Sequence, residues 1–180
     1  MAVKINIESI VKDMRKHESF TRLWNIFNNH ETFNIPINDL THEVAVLHKQ
    51  RSVRKLNPTD PKFIDKLIIA SMDDIASRAR LTDILLRCHR ANTSMTAALE
   101  ALKYQLVLVY AIDLKAFSTK EERVQVATIA LRPFTKFLAE VSGLQQSVNS
   151  VIADIDKASW SLKLTVDAIK LVHVPERSTI

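Results

Sequence analysis

Apolar positions between residues 62 and 132 recur with a helical period. Leu81, Leu85, Cys88, Asn92, Met95, Leu99, Leu102, Leu106 and Val109 follow a 4-3-4-3 spacing, apolar everywhere except Asn92. A repeat of this kind is the seam of a coiled coil or a long bundle helix. It predicts one helix from Lys62 to Ala116, about 80 Å long at ~1.5 Å per residue. A single Asn on such a seam can fix register or partner number at a cost in stability. A second seam follows through Val124, Ala127, Leu131, Phe134, Val141, Val148, Ile152, Ile155, Leu162, Val166 and Ile169, with Gln145, Ser159 and His173 in its polar places. Ala130, Phe137, Leu144, Val151 and Ala158 form a flanking row, so this stripe is wider than a two-stranded coil requires.

Between the seams, Ser118-Thr119-Lys120-Glu121-Glu122 holds two overlapping capping boxes, Ser118 with Glu121 and Thr119 with Glu122. The second helix therefore starts there. Pro133 and Gly143 are expected to kink or weaken it without ending it. Residues 1–60 read as two shorter helical pieces. The first carries Ile7, Ile10, Val11 and Met14, then Leu23, Trp24 and Phe27, and stops at Asn28-Asn29-His30. The second starts at Asn38 or Asp39 and shows Leu40, Val44 and Leu47 before the break at Pro58 and Pro61. The organisation expected is an N-terminal helical segment, 1–60, and a long antiparallel helical hairpin, 61–180. The fold class is all-α. The wide stripes imply a homo-oligomer whose interfaces use Leu85, Asn92, Leu99, Phe137, Leu144 and Val151.

Composition narrows the alternatives. One glycine in 180 residues leaves no material for hairpin turns, phosphate-cradling loops or nucleophile elbows, which excludes most sheet-based folds. Cys88 stands alone, so no intramolecular disulfide can form, and a reducing compartment is expected. The longest apolar run is the seven residues Leu106–Ile112, far short of the ~18 of a membrane span, and the N-terminus lacks a signal-peptide plan. A cytoplasmic protein is expected, with no membrane partner.

The residues form no recognisable catalytic arrangement. His42 and His48 are six apart and face different sides of a helix, so they do not make a zinc pair. Cys88 and His89 are adjacent in a helix and diverge, and Cys88 falls on the seam. The carboxylate pairs Asp73-Asp74 and Glu121-Glu122 diverge likewise. The expectation is a non-enzyme without metal or cofactor.

Basic clusters carry more. The formal net charge is +5, and Lys49, Arg51, Arg54 and Lys55 form an acid-free run at the end of the second piece. Such residues complement a helix C-terminus, and they can also hold phosphates. Arg80, Arg87 and Arg90 share one sector of the next helix, with Asp83 among them as a candidate ion-pair partner. Tyr104, Tyr110, Trp24 and Trp160 could stack on bases, although packing explains Tyr110 and Trp160 as well. The Phe20–Phe27 segment can pack onto its own hairpin or dock on a neighbour.

Three stretches stand out in the long region: Leu102-Lys-Tyr-Gln-Leu-Val-Leu-Val-Tyr110 before the turn, Ser118-Thr-Lys-Glu-Glu-Arg123 after it, and the distal Asp156-Lys-Ala-Ser-Trp-Ser-Leu-Lys163. Through them the chain resembles the UvsY-type recombination mediators of large tailed phages. The resemblance covers about two thirds of the chain, between Phe63 and His173. It implies a ring-forming, non-enzymatic helical protein that binds single-stranded DNA, displaces the single-strand-binding protein and helps load a RecA-like recombinase. Lys103 is the sole basic residue between Ala91 and Ile112, where that family is richer, and the first 60 residues have no counterpart. DNA contact would then fall to Lys49, Arg51, Arg54 and Lys55, or to Arg80, Arg87 and Arg90. The alternative is a structural or adaptor scaffold, such as a virion component or coiled-coil protein, that binds helices and no DNA.

Overall fold

The computed structural model describes residues 6–53, 56–57 and 60–172. Arg54, Lys55, Pro58 and His173, and the side chain of Ile169, lie outside the described residues. Among the described residues every regular element is helical, so the all-α expectation holds. The helices are α1 (Ile7–Lys16), α2 (Glu18–Asn29), α3 (Ile37–Ser52), α4 (Phe63–Val109), α5 (Lys120–Ala130) and α6 (Arg132–Val172), with short 3-10 turns at Glu31–Phe33 and Asp113–Ala116.

The chain forms two compact units, each built from separate stretches of sequence. One takes residues 1–38 and 86–145, the other 39–85 and 146–180. Thus α4 and α6 contribute to both, and the N-terminal 60 residues are divided between them.

In the first unit α1 and α2 are separate helices. His17 is extended (ψ 141°) and its Nδ1 accepts from the Ser19 amide at 3.2 Å, which ends one helix and caps the next. Phe20, Trp24 and Phe27 of α2 surround the fully buried Phe134, with ring centroids 5.4, 5.6 and 5.4 Å away. Phe137 packs edge-on to Phe27 and Phe33. The aromatic segment thus packs onto its own chain. Met14, Cys88, Met95, Leu106, Leu114 and Val141 complete this core.

Two boundaries differ from expectation. Helix α4 stops at Val109, seven residues before Ala116, because the chain turns there to bury Leu114 and to let the Tyr110 hydroxyl donate to the Asp13 carbonyl at 2.8 Å. The second long helix is interrupted at Leu131, the cap of α5, where ψ is 4°. Pro133 has no amide to offer the Ile129 carbonyl four residues back, and the Phe134 amide donates to Leu131 instead of Ala130. Arg15 of α1 supplies a donor to each of these carbonyls, Nη2 to Ile129 at 3.3 Å and Nε to Ala130 at 3.1 Å. At the start of α5 the Thr119–Glu122 capping box forms, and the Ser118 hydroxyl joins the Glu122 carboxylate, not Glu121. These bonds hold the Glu122 carboxyl below the ordinary glutamate range.

Gly143 lies within α6, which runs on unbroken, and a methyl group added at its Cα meets nothing within 4 Å. Gly143→Ala is therefore expected to raise stability by about 0.5–1 kcal/mol through reduced unfolded-state entropy and better helix propensity. The midpoint of urea unfolding checks it.

In the second unit α3 and the N-terminal half of α4 enclose Leu40, Val44, Ala70, Leu81, Val148, Val151 and Ile155. Arg78 Nε lies 2.7 Å from Asp156, so here α4 and α6 are neighbours. Within the first unit Asn92 Nδ2 donates to Gln145 Oε1 at 3.2 Å. The polar residue of one seam thus meets the polar residue of the other.

Candidate interaction surfaces

The residues expected to join separate copies are mostly used inside one chain. Leu99, Phe137, Leu144 and Val151 are buried, and Leu85 and Asn92 are half-buried, with Asn92 paired to Gln145. The physical reason is that the two seams and the N-terminal helices supply each other's apolar partners, so these positions present little surface to a second subunit. Cys88 is fully buried, and burial pushes its thiol above the usual range while Arg87 opposes the shift only partly. It packs as a small apolar side chain.

The basic residues separate into committed and available ones. Arg51 Nε lies 3.3 Å from Asp74 Oδ2, and both side chains are largely removed from solvent, 18% and 11% exposed. This pair sits in the wall of a groove of about 320 Å³ lined also by His48, Ser52, Leu56 and Ala70. Arg80 grips Glu43 in a bidentate pair, with Nε 2.6 Å from Oε1 and Nη2 2.9 Å from Oε2, and approaches Asp83 at 3.4 Å. The Arg80 hydrogen bonds draw the Glu43 carboxyl below its ordinary value, and the Glu43 contact raises the guanidinium in turn. Arg51 and Arg80 are therefore anchors for α3 against α4. Their local charge is neutralised.

Lys49 is exposed, and among the described residues Lys49, Arg87 and Arg90 make no ion pair. Arg87 and Arg90 line a separate groove of about 210 Å³ with Glu31, Thr32 and Ile35. Of the aromatics considered for base stacking, Tyr110 is held by α1, whereas Tyr104 and Trp160 are exposed at 52% and 67%.

An exposed apolar row on α4 is a further candidate surface among the described residues. Along α4, Ile64, Ile68, Met72 and Ile75 are 68%, 54%, 65% and 70% exposed, and Ile69 beside them is 59% exposed. They continue into exposed Ala79 with a 4-4-3-4 spacing. This is a second helical stripe, on a different side of the helix from the buried Ala70, Asp74, Leu81 and Ile84. Scattered exposed apolar residues are ordinary, but a contiguous row is a mark of an interaction site. The sequence signal was present in the isoleucine spacing. It was hidden because two apolar stripes on one helix read as a single apolar-rich segment.

Among the described residues no helix is long and apolar enough to cross a membrane, and no cluster of three metal-ligating side chains occurs. Comparison with protein-family models, with curated proteins and with solved structures gives no match to this chain.

Proposed function

We propose that the chain is a non-enzymatic helical scaffold that works by docking another helix along the outer stripe of α4. The observation that carries this reading is the exposure of Ile64, Ile68, Met72 and Ile75 on consecutive turns, with no element among the described residues covering them. Burying an isoleucine is worth about 1.5–3 kcal/mol, so the row supplies ample drive for association even when each residue is partly covered already.

A second reading keeps the single-stranded DNA mediator suggested by the resemblance to UvsY-type proteins, with a RecA-like recombinase and the single-strand-binding protein as partners of a ring. It is favoured by Lys49, Arg87 and Arg90, the candidate cations that carry no ion pair among the described residues. It is weakened by Arg51 and Arg80, whose charge is answered by Asp74 and Glu43.

A gel shift of a single-stranded oligonucleotide separates the two. The scaffold reading expects no shift even at about 50 mM salt. A shift that collapses by about 200 mM salt, and that Arg87→Glu/Arg90→Glu abolishes, would replace it with the mediator. Arg51 is a poor probe for this purpose, because reversing its charge would set two carboxylates together in the groove wall.

A further inference from the structure

We infer that the occupant of the α4 stripe is a second copy of this chain, paired antiparallel about a two-fold axis passing between Met72 and Ile75. The inference rests on the scaffold reading and names its partner.

The argument begins with spacing. Ile68, Met72, Ile75, Ala79 and Thr82 alternate steps of four and three, the a and d positions of a heptad seam. In an antiparallel pair, a-type residues of one helix oppose d-type residues of the other. Met72 then faces Ile75 of the second copy, and Ile68 faces Ala79. One row further out, Ile69 faces Ala76. Large side chains meet small ones or a flexible methionine, which lets two helices approach without clash. At the rim, Lys62 faces Asp83, and all of Lys62, Ala76, Ala79 and Asp83 are exposed in the single chain.

Charge selects the direction. Asp65 occupies the next a position towards the N-terminal end of α4 and is exposed. A parallel pair would set Asp65 against Asp65 of the other copy, two like charges on the seam. The antiparallel pair sets it against half-buried Thr82, whose O–H donates to the Arg78 carbonyl at 2.8 Å. The same patch is thus complementary to itself under a two-fold rotation, as a closed symmetric dimer requires. The stripe from Lys62 to Asp83 is about 30 Å long. That places the interface at the small end of stable contacts, with a dissociation constant on the order of micromolar.

Sedimentation equilibrium of the full chain over about 1–100 µM is expected to show a mass rising from 20.5 kDa to twice that value. Ile68→Glu/Ile75→Glu is expected to stay monomeric throughout while its far-ultraviolet circular dichroism remains that of the parent. Direction is read by oxidation of variants with one added cysteine, for which buried Cys88 is a silent background. Mixed Met72→Cys and Ile75→Cys chains should cross-link to each other faster than either does to itself. A parent chain that is monomeric at every concentration overturns the inference, and so does an oligomer that the double glutamate variant leaves intact. Preferential self-linking of Met72→Cys overturns the antiparallel arrangement. A monomer that also fails to shift DNA removes the second copy alone; a salt-sensitive DNA shift removes the scaffold reading beneath it.

Discussion

Phe134→Ala is expected to lower the free energy of unfolding by about 3–5 kcal/mol, the range found for emptying a buried aromatic site. Phe134 has no exposed surface and is the ring on which three others converge: Phe20 at 5.4 Å, Trp24 at 5.6 Å and Phe27 at 5.4 Å. Those rings all come from α2, whereas Phe134 comes from the first turn of α6. Its removal leaves a cavity that α2 cannot fill by sliding, because α2 is also held through Phe27 against Phe137. Stability of the whole domain is ordinarily only about 5–15 kcal/mol, so the variant should be near the limit of folding. Phe134→Leu retains apolar volume and is expected to lose clearly less. Urea unfolding of the two variants beside the parent measures both losses. A loss below about 1 kcal/mol for the alanine variant would mean that the ring cluster is not packed as described.

What the sequence disclosed follows from the range of the interactions involved. The seams through Leu81–Leu106 and Val124–Ile155 were legible because a helix writes its buried face as a local period, which needs no knowledge of the partner. The Thr119–Glu122 box was legible for the same reason: all its bonds lie within three residues. Asn92 and Gln145 were each visible as polar places on a seam, yet nothing local said that they meet. The division of the first helical piece at His17 was missed because apolar spacing passes through an extended residue without change. Arg15 is a sharper instance. It reads as a basic residue near the end of a surface helix, and it donates to carbonyls more than 110 residues away at the break between α5 and α6.

The same limit governed the candidate site. A run of Lys and Arg reports formal charge, but available charge depends on acids brought in by the fold. Glu43 lies 37 residues from Arg80 and Asp74 lies 23 from Arg51, so neither pairing leaves a short-range pattern. Burial of the expected interface positions within one chain has a related cause. Periodicity locates an apolar face and is silent on whether the chain covers it. Leu99 and Leu144 were covered by the chain's own helices, and Ile68 and Ile75 were not.

Asp74→Ala is expected to destabilise the chain by about 2–3 kcal/mol, more than the loss of a surface ion pair and less than that of a wholly buried one. Asp74 is 7% exposed, and its removal strands the Arg51 guanidinium in a groove wall where water reaches it poorly. The cost is mainly that of an unanswered charge, so removing both charges should relieve it. Arg51→Met/Asp74→Leu is expected to recover most of the loss, since apolar side chains of similar volume often match or exceed a buried pair in stability. Thermal and urea unfolding of the two variants, set against Arg51→Met alone, form a cycle whose coupling exceeds about 1 kcal/mol if the pair acts as a unit. The cycle also bears on function. If Arg51 serves structure, the double variant keeps the stripe of α4 and any dimer formed there. If Arg51 were the heart of a phosphate site, the double variant would fold well and lose oligonucleotide binding that the parent possessed. Stability restored with association unchanged is the expected result.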